Sequence, residues 1–342
     1  MKRTLKIAFS LVVAGVLLYL FFRKVDPAEL GANIRQADPL WLVISMLLQA
    51  LHLVIRAVRW RALLSPIKKR IGFYNLFSTT AIGYMLSLLF FRVGEVVRPM
   101  ILGQRENISR TGALATCVLE RLMDFFVVAL LFGLYLMTGF EPPSHAPAGL
   151  DIGQLRAVGL IFGIGTLACF PILYVIVHYR RPLTALLERR MGDDAAVPRL
   201  LHAFLGGFDA VRGGRLLTLA WVQSLLVWLT IAAAIWAALR AFALDIGFLD
   251  SFFIMGLLAF GIAVPTPGGV GSFEYLGGLG LEFLGVAPNV AAASILVTHV
   301  VSIAPVMVIG FVLLWRDGLS LRGLSRIGEE ARTGSPGPGV GA

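Results

Sequence analysis

Pro265-Thr-Pro-Gly-Gly-Val-Gly-Ser-Phe-Glu274 decides how this chain reads. It lies inside an apolar run, Phe252 to Leu284, long enough to cross a bilayer. Pro265 and Pro267 remove backbone donors and cannot continue a helix. Gly268, Gly269 and Gly271 permit positive φ and close backbone approach. The stretch therefore breaks a helix at membrane depth. In hydrocarbon, non-helical backbone survives only where protein buries it or where it lines a wet cavity. Broken helices of this composition are what transporters use to build midplane sites. Glu274 strengthens that reading over a merely kinked helix, because an intramembrane carboxylate is costly and usually functional.

Working outward, the composition sets the class. The chain has 342 residues, 58% hydrophobic and 15% charged, with mean hydropathy +0.83. Soluble domains run about 45–50% apolar and about 25% charged, so this is an all-α polytopic membrane protein. The net charge of +10 does not come from a basic domain, which excludes nucleic acid as a partner. Cys117 and Cys169 lie in apolar segments and imply no disulfide framework. The apolar run after Met-Lys-Arg lacks a small-x-small cleavage site and reads as a retained first span.

A spanning helix needs roughly 20 apolar residues. Candidates are 5–22, 40–58, 112–138, 156–178, 216–240 and 288–315. Two further apolar stretches, 73–91 and 251–284, are irregular. Lys and Arg distribution then fixes the topology. Loop 92–110 carries four Arg and 179–215 carries seven, whereas 139–155 and 241–250 carry neither Lys nor Arg. If 73–91 crossed the membrane, those basic loops would lie outside. If it enters and returns, they lie inside. The same parity makes 251–284 return to the outer face. The expectation is about six spans plus two oppositely oriented re-entrant helical hairpins, the trace of inverted repeats, with both termini cytoplasmic. Gly94-Glu95 and Gly271-Ser-Phe-Glu274 read as counterparts in the two hairpins. Residues 26–39 read as a short surface amphipathic helix, 180–214 as cytoplasmic amphipathic helices, and 317–342 as a disordered tail after a transmembrane domain spanning 1–316.

Three polar clusters accompany the opening stretch. Arg92, Glu95 and Arg98 share one helical face, and arginine's planar fork suits phosphate. Glu120 and Asp124 share a face at i, i+4, with Arg121 between them; three charges this deep cannot face lipid, and an interhelix pairing with Arg92 or Arg98 is as plausible as substrate contact. Arg56 and Arg59 sit at the inner end of the second span beside Trp60 and Arg61, of which Arg61 reads as an interface anchor. His52 and His299 read as helix-packing hydrogen bonds rather than proton relays. No metal-ligand spacing, nucleotide loop or nucleophile elbow occurs, so no cofactor, metal or catalytic residue is expected.

Arg56-Ala-Val-Arg59-Trp60-Arg-Ala-Leu-Leu64, Arg92-Val-Gly94-Glu95-Val-Val-Arg98-Pro99, Glu120-Arg121-Leu-Met-Asp124 and Pro265-Thr-Pro267-Gly268-Gly269-Val-Gly271-Ser-Phe-Glu274 together resemble the lysylphosphatidylglycerol synthase transmembrane family, also called flippase-like domain proteins. The resemblance covers essentially 1–316. In the synthases a similar domain is taken to flip an aminoacylated phospholipid and precedes a soluble aminoacyltransferase domain, for which no sequence follows here. Phe90 stands two residues before Arg92, where the family often has Pro, which argues against a sharp break in the first hairpin. The resemblance implies a non-enzymatic lipid translocator of a bacterial inner membrane. Arg56, Arg59, Arg92, Arg98 and Arg121 would bind an anionic or lipid-linked headgroup in a cavity between the hairpins. Glu95, Glu120, Asp124 and Glu274 would balance charge or carry protons, and Gly94, Pro265, Pro267, Gly268, Gly269 and Gly271 would shape the hairpin backbones. For Glu274, a proton carrier and a fixed ion pair with an arginine of the first hairpin both stand open. The rival functions are a membrane-embedded lipid-modifying enzyme and a non-transporting partner of a lipid or glycan synthase.

Overall fold

The computed structural model describes residues 2–90, 93–137, 214–264 and 266–320, with isolated positions between 153 and 179. All regular structure among them is helical. In chain order the helices are α1 (Lys2–Phe22), α2 (Pro27–Arg35), α3 (Pro39–Leu64), α4 (Phe73–Leu89), α5 (Val93–Glu106), α6 (Arg110–Met137), α7 (Gly214–Arg240), α8 (Asp250–Ala263), α9 (Ser272–Phe283) and α10 (Pro288–Arg316), with a 3₁₀ turn at Pro267–Gly269. Among the described residues, three segments, Pro39–Leu64, Arg215–Arg240 and Pro288–Arg316, are long and apolar enough to cross a membrane, in keeping with a polytopic membrane protein. Helix α6 is 28 residues long, about 42 Å at ~1.5 Å per residue, but Glu120, Arg121 and Asp124 interrupt its apolar run. The expected span 156–178, the amphipathic helices of 180–214 and nearly all of the tail lie outside the described residues, as do Arg92 and Pro265.

The chain divides into two compact units. One draws on Leu53–Met123, Phe170–Ser224 and Val306–Ala342 and holds the α4–α5 pair. Its two helices run antiparallel: Gly83 meets Gly94 near the break, while Arg105 Nη1 donates to Ser78 Oγ (3.3 Å) and Asn75 Nδ2 to Glu106 Oε1 (2.6 Å) at the open end. The chain leaves α4 at Phe90 in an extended conformation (φ −129°, ψ 101°). The break thus forms without the proline whose absence argued against it. Phe90 itself is unstrained, because its φ is negative and ordinary for phenylalanine. Close packing does require glycine: a Cβ on Gly94 would lie 1.7 Å from the Gly83 carbonyl oxygen. Small residues that let backbones approach are the usual device of membrane helix pairs. Below the break, Ile82, Met85, Leu86, Val97 and Ile101 pack with Leu53, Val306, Leu313 and Leu314.

The end of α10 fastens to the open end of this hairpin through Asp317. Its carboxylate accepts from Tyr74 OH (2.6 Å) and Ser78 Oγ and pairs with Arg105 Nη2 (2.7 Å). Burial would push the Asp317 carboxyl up, but the hydrogen bonds from Ser78, Tyr74 and Arg105, together with the Arg105 charge, outweigh it and hold the group below its ordinary value.

The other unit draws on Met1–His52, Asp124–Cys169 and Leu225–Pro305 and holds the α8–α9 pair. It too is an antiparallel hairpin, with Gly261 against the Ser272 backbone near the turn and Phe253 against Phe283 (5.4 Å between rings) at the far end. Gly271 opens α9 at φ +87°, and a Cβ there would meet the Ala14 carbonyl oxygen of α1 at 2.6 Å. Positive φ and close approach coincide at this one residue. Helix α2 starts on Asp26, whose side chain caps the Ala28 and Glu29 amides, with Pro27 at the first helical position. None of its residues is buried, as an amphipathic surface helix requires.

Two outcomes follow from this packing. Gly94→Ala should lower the detergent melting temperature or abolish folded protein, while Gly15→Ala, with open space around it, should leave melting unchanged; equal melting of the two variants would refute the tight hairpin crossing. Because the Asp317 carboxyl is depressed, its stabilisation is present above the ordinary Asp range, about 3.9, and is lost as pH falls through the lowered folded value. Asp317→Asn should therefore cost about 1–3 kcal/mol at neutral pH and converge with the wild type in acid; a constant gap across an acid unfolding series would contradict the assignment.

Candidate functional site

In the α4–α5 unit, three helices deliver charge to one place. Helix α3 ends in a basic stretch whose i, i+3 spacing puts Arg56 and Arg59 on a single face. Helix α5 contributes Arg98 one turn after Glu95, and α6 contributes Glu120 and Arg121. Glu120 has no exposed surface. Its Oε1 accepts from Arg59 Nη2 (2.7 Å) with Arg56 Nη1 at 3.8 Å, and its Oε2 accepts from Arg98 Nη1 (3.0 Å). An isolated carboxylate could not remain charged in such surroundings; three guanidiniums on both its oxygens make burial tolerable. Arg59 Nη1 also donates to Ser224 Oγ of α7 (2.9 Å).

Tyr84 of α4 is the second hub. Its hydroxyl accepts from Arg56 Nη1 (2.6 Å) and from Arg121 Nη2 (2.7 Å). Three guanidiniums lie near its ring, those of Arg56, Arg121 and Arg98, at 4.8, 5.2 and 5.8 Å from the centroid. Arg98 also sits 3.7 Å over the Trp60 ring, whose indole nitrogen donates to Thr116 Oγ1 (3.0 Å). Aromatic faces of this kind hold a cation in place without neutralising it. Arg121 Nε lies 3.4 Å from Glu95 Oε1, and both side chains are about one-third exposed.

Arg98 retains unused donors. The residue is 3% exposed, yet its Nε and Nη2 meet no hydrogen-bond acceptor among the described residues. It lines a small crevice with Gly83, Tyr84, Ser87, Gly94, Glu95, Cys117 and Arg121. A buried donor without an acceptor costs about 1–3 kcal/mol, so an acceptor that reached these nitrogens would relieve the penalty. The planar fork favours an oxyanion such as phosphate or carboxylate.

The sequence-predicted residues therefore separate. Arg56, Arg59, Arg98, Arg121, Glu95 and Glu120 come together, and Gly94 sets the hairpin crossing beside them. The Arg98–Glu120 pairing is one of the two that the sequence raised. Arg61 is exposed, as an anchor should be. Asp124 belongs to the α8–α9 unit, where its Oδ1 accepts from Trp228 Nε1 (3.1 Å). Glu274 belongs there as well. Its partner there is His299 of α10, with Nδ1 2.5 Å from Oε1. Tyr84 and Ser224 escaped the sequence reading. A tyrosine in the apolar second half of α4 was the available signal for Tyr84, while nothing local marked Ser224.

Since burial of Glu120 depends on its cations and theirs on it, Glu120→Gln should cost about 3–5 kcal/mol, read as early melting in detergent. Glu95→Gln, a third exposed to solvent, should cost much less. Similar melting of both variants would show that Glu120 does not organise the cluster.

Known proteins resemble this chain over most of its length. A UPF0104 membrane protein of Methanothermobacter thermautotrophicus is 25% identical over 86% of this chain and 90% of its own length. A UPF0104 membrane protein of Methanocaldococcus jannaschii is 20% identical, with 92% and 94% covered. The glycosyltransferase AglD of Haloferax volcanii is 25% identical over 90% of this chain, which spans only 54% of that protein. Residues 7–310 match the family described as the lysylphosphatidylglycerol synthase TM region. Nearly the whole chain lies within that match, and it therefore belongs to the lysylphosphatidylglycerol synthase transmembrane family.

Proposed function

We propose that this protein is a lipid translocator, in which the Arg98 crevice receives the anionic headgroup of a phospholipid or lipid-linked sugar and the acyl chains stay in the bilayer. The observation that carries the reading is the pair of unsatisfied, buried Arg98 donors at a crevice. Arg121 stands at the rim to meet the anion first. Arg56 and Arg59 are committed to Glu120 and Tyr84 and hold Arg98 in position rather than competing for the ligand. Their work is binding and release, with no bond made or broken in the lipid.

The hairpins suit this role if each enters the membrane and returns. Helices α4, α5, α8 and α9 have 17, 14, 14 and 12 residues, about 18–25 Å at ~1.5 Å per residue. Each falls short of the roughly 30 Å hydrocarbon core. With the Lys/Arg distribution, these lengths support six spans, two re-entrant hairpins and cytoplasmic termini. The AglD match favours a second reading, in which the domain serves a glycan synthase as its membrane partner.

Proteoliposomes with a fluorescent phospholipid, quenched from outside, test the proposal. Arg98→Gln should slow leaflet exchange by roughly tenfold or more, the equivalent of about 1.4 kcal/mol, at matched amounts of folded protein. Arg61→Gln should transfer lipid like the wild type. Equal rates in both variants, or no transfer by the wild type with any anionic lipid, would count against it.

A further inference from the structure

The turn that breaks the α8–α9 pair is held by a closed ring of polar contacts. Gly271 N donates to Glu274 Oε2 (2.6 Å). Glu274 Oε1 faces His299 Nδ1 (2.5 Å), and His299 Nε2 faces the Gly268 carbonyl oxygen (3.1 Å). Phe273 stacks on the imidazole, ring centroids 4.1 Å apart and nearly parallel. Glu274 and His299 are 4% and 6% exposed.

Proton counting follows from the acceptors. A carbonyl oxygen can only accept, so Nε2 must carry a hydrogen. The second ring nitrogen then meets a carboxyl oxygen. Either Nδ1 also carries a hydrogen and Glu274 is a carboxylate, or Nδ1 accepts from a protonated Glu274. Both descriptions hold the same single proton beyond neutral imidazole plus carboxylate. If that proton leaves, one ring N–H remains for two acceptors, and either the Gly268 or the Glu274 contact must open.

We propose that Glu274 and His299 form a binding site for one exchangeable proton, and that its loss releases the Pro267–Gly271 turn. The turn can respond, since Gly268, Gly269 and Gly271 sit at φ +61°, +80° and +87°, where glycine moves at no steric cost. Few titratable groups surround the pair; α3 meets α10 through Gln49 and Ser302 and carries the buried His52. Helix α8 carries one charged residue, Asp250 at its first position, engaged with Tyr135 OH and the Gly247 amide. Between Phe9 and Phe22, α1 has no charge and one tyrosine, Tyr19. From Pro288 to Pro305, α10 has no other charge. On α9, Tyr275 follows directly and Glu282 is eight residues on, about 12 Å away at ~1.5 Å per residue. The use of the site as the coupling ion of transport rests on the translocator reading; the proton site itself does not.

The test reads no lipid movement, so its failure and that of the translocator reading are separable. Full-length protein in nanodiscs, with Cys117 and Cys169 replaced by Ser, is labelled with ¹⁵N at the ring nitrogens of its five histidines. His299→Gln assigns the His299 signals. A pH series over about 5 to 9 brackets the range in which histidine can change charge. At the acid end both ring nitrogens of His299 should show a bound or shared proton, and one transition should follow as pH rises. Maleimide labelling of a Val270→Cys variant, at an exposed turn position, should increase several-fold through the same transition. Glu274→Gln should remove the coincidence. Wild-type spectra in which Nδ1 is neither protonated nor hydrogen-bonded at any pH would overturn the proposal without recourse to a variant. So would turn labelling that ignores pH, or a His299 transition unchanged by Glu274→Gln.

Discussion

One carboxylate organises the charged half of this molecule. Glu120 is wholly enclosed, and its two oxygens are shared among Arg59, Arg98 and Arg56. Neither partner could be buried alone, since an unpaired ion in a low-dielectric interior costs several kcal/mol. Helices α3, α5 and α6 are therefore bound to one another by electrostatic necessity, with α4 drawn in through Tyr84 and α7 through Ser224. Hydrophobic packing offers no such discrimination in a bilayer, where lipid tails are as apolar as leucine. The arrangement leaves Arg98 held by one Nη, stacked on Trp60 and still short of acceptors.

The two hairpins solve the same backbone problem differently. Both are antiparallel pairs of short helices, and both carry a glycine shortly before a glutamate. In α4–α5 the glycine, Gly94, serves close contact with Gly83, and Glu95 reaches out to Arg121. In α8–α9 the glycine, Gly271, supplies a positive φ, and Glu274 turns back to cap its own helix. Counterparts in sequence are thus not counterparts in chemistry. The glutamate of one hairpin joins the arginine cluster, and that of the other secures a turn.

Much of this was legible in the sequence. The apolar runs gave the positions of α1, α3, α6, α7 and α10 to within a few residues, because length and composition alone decide such helices. Proline and glycine marked the break at Pro267–Gly271. The break at Phe90 was harder, for without a proline it depends on Gly83–Gly94 packing and on the charges that follow. Helical spacing put Arg56 with Arg59, and the depth of the Glu120–Asp124 charges raised Arg92 or Arg98 as an interhelix partner. The partner of Glu274 was not readable: His299 stands 25 residues away in an apolar helix, and a histidine there looks the same whether it packs or pairs. Tyr84 was missed for a like reason, since a tyrosine in an apolar helix becomes a hub only when three arginines surround it.

The central claim is that Arg98 keeps donors in reserve for an anionic headgroup. Native mass spectrometry of protein released from nanodiscs of mixed anionic phospholipid and neutral glycolipid measures it directly. The wild-type chain should retain anionic phospholipid in preference to glycolipid, and Arg98→Gln, folded and monodisperse, should lose that preference. Equal retention of both lipids by the wild type, or an undiminished preference in Arg98→Gln, would contradict it.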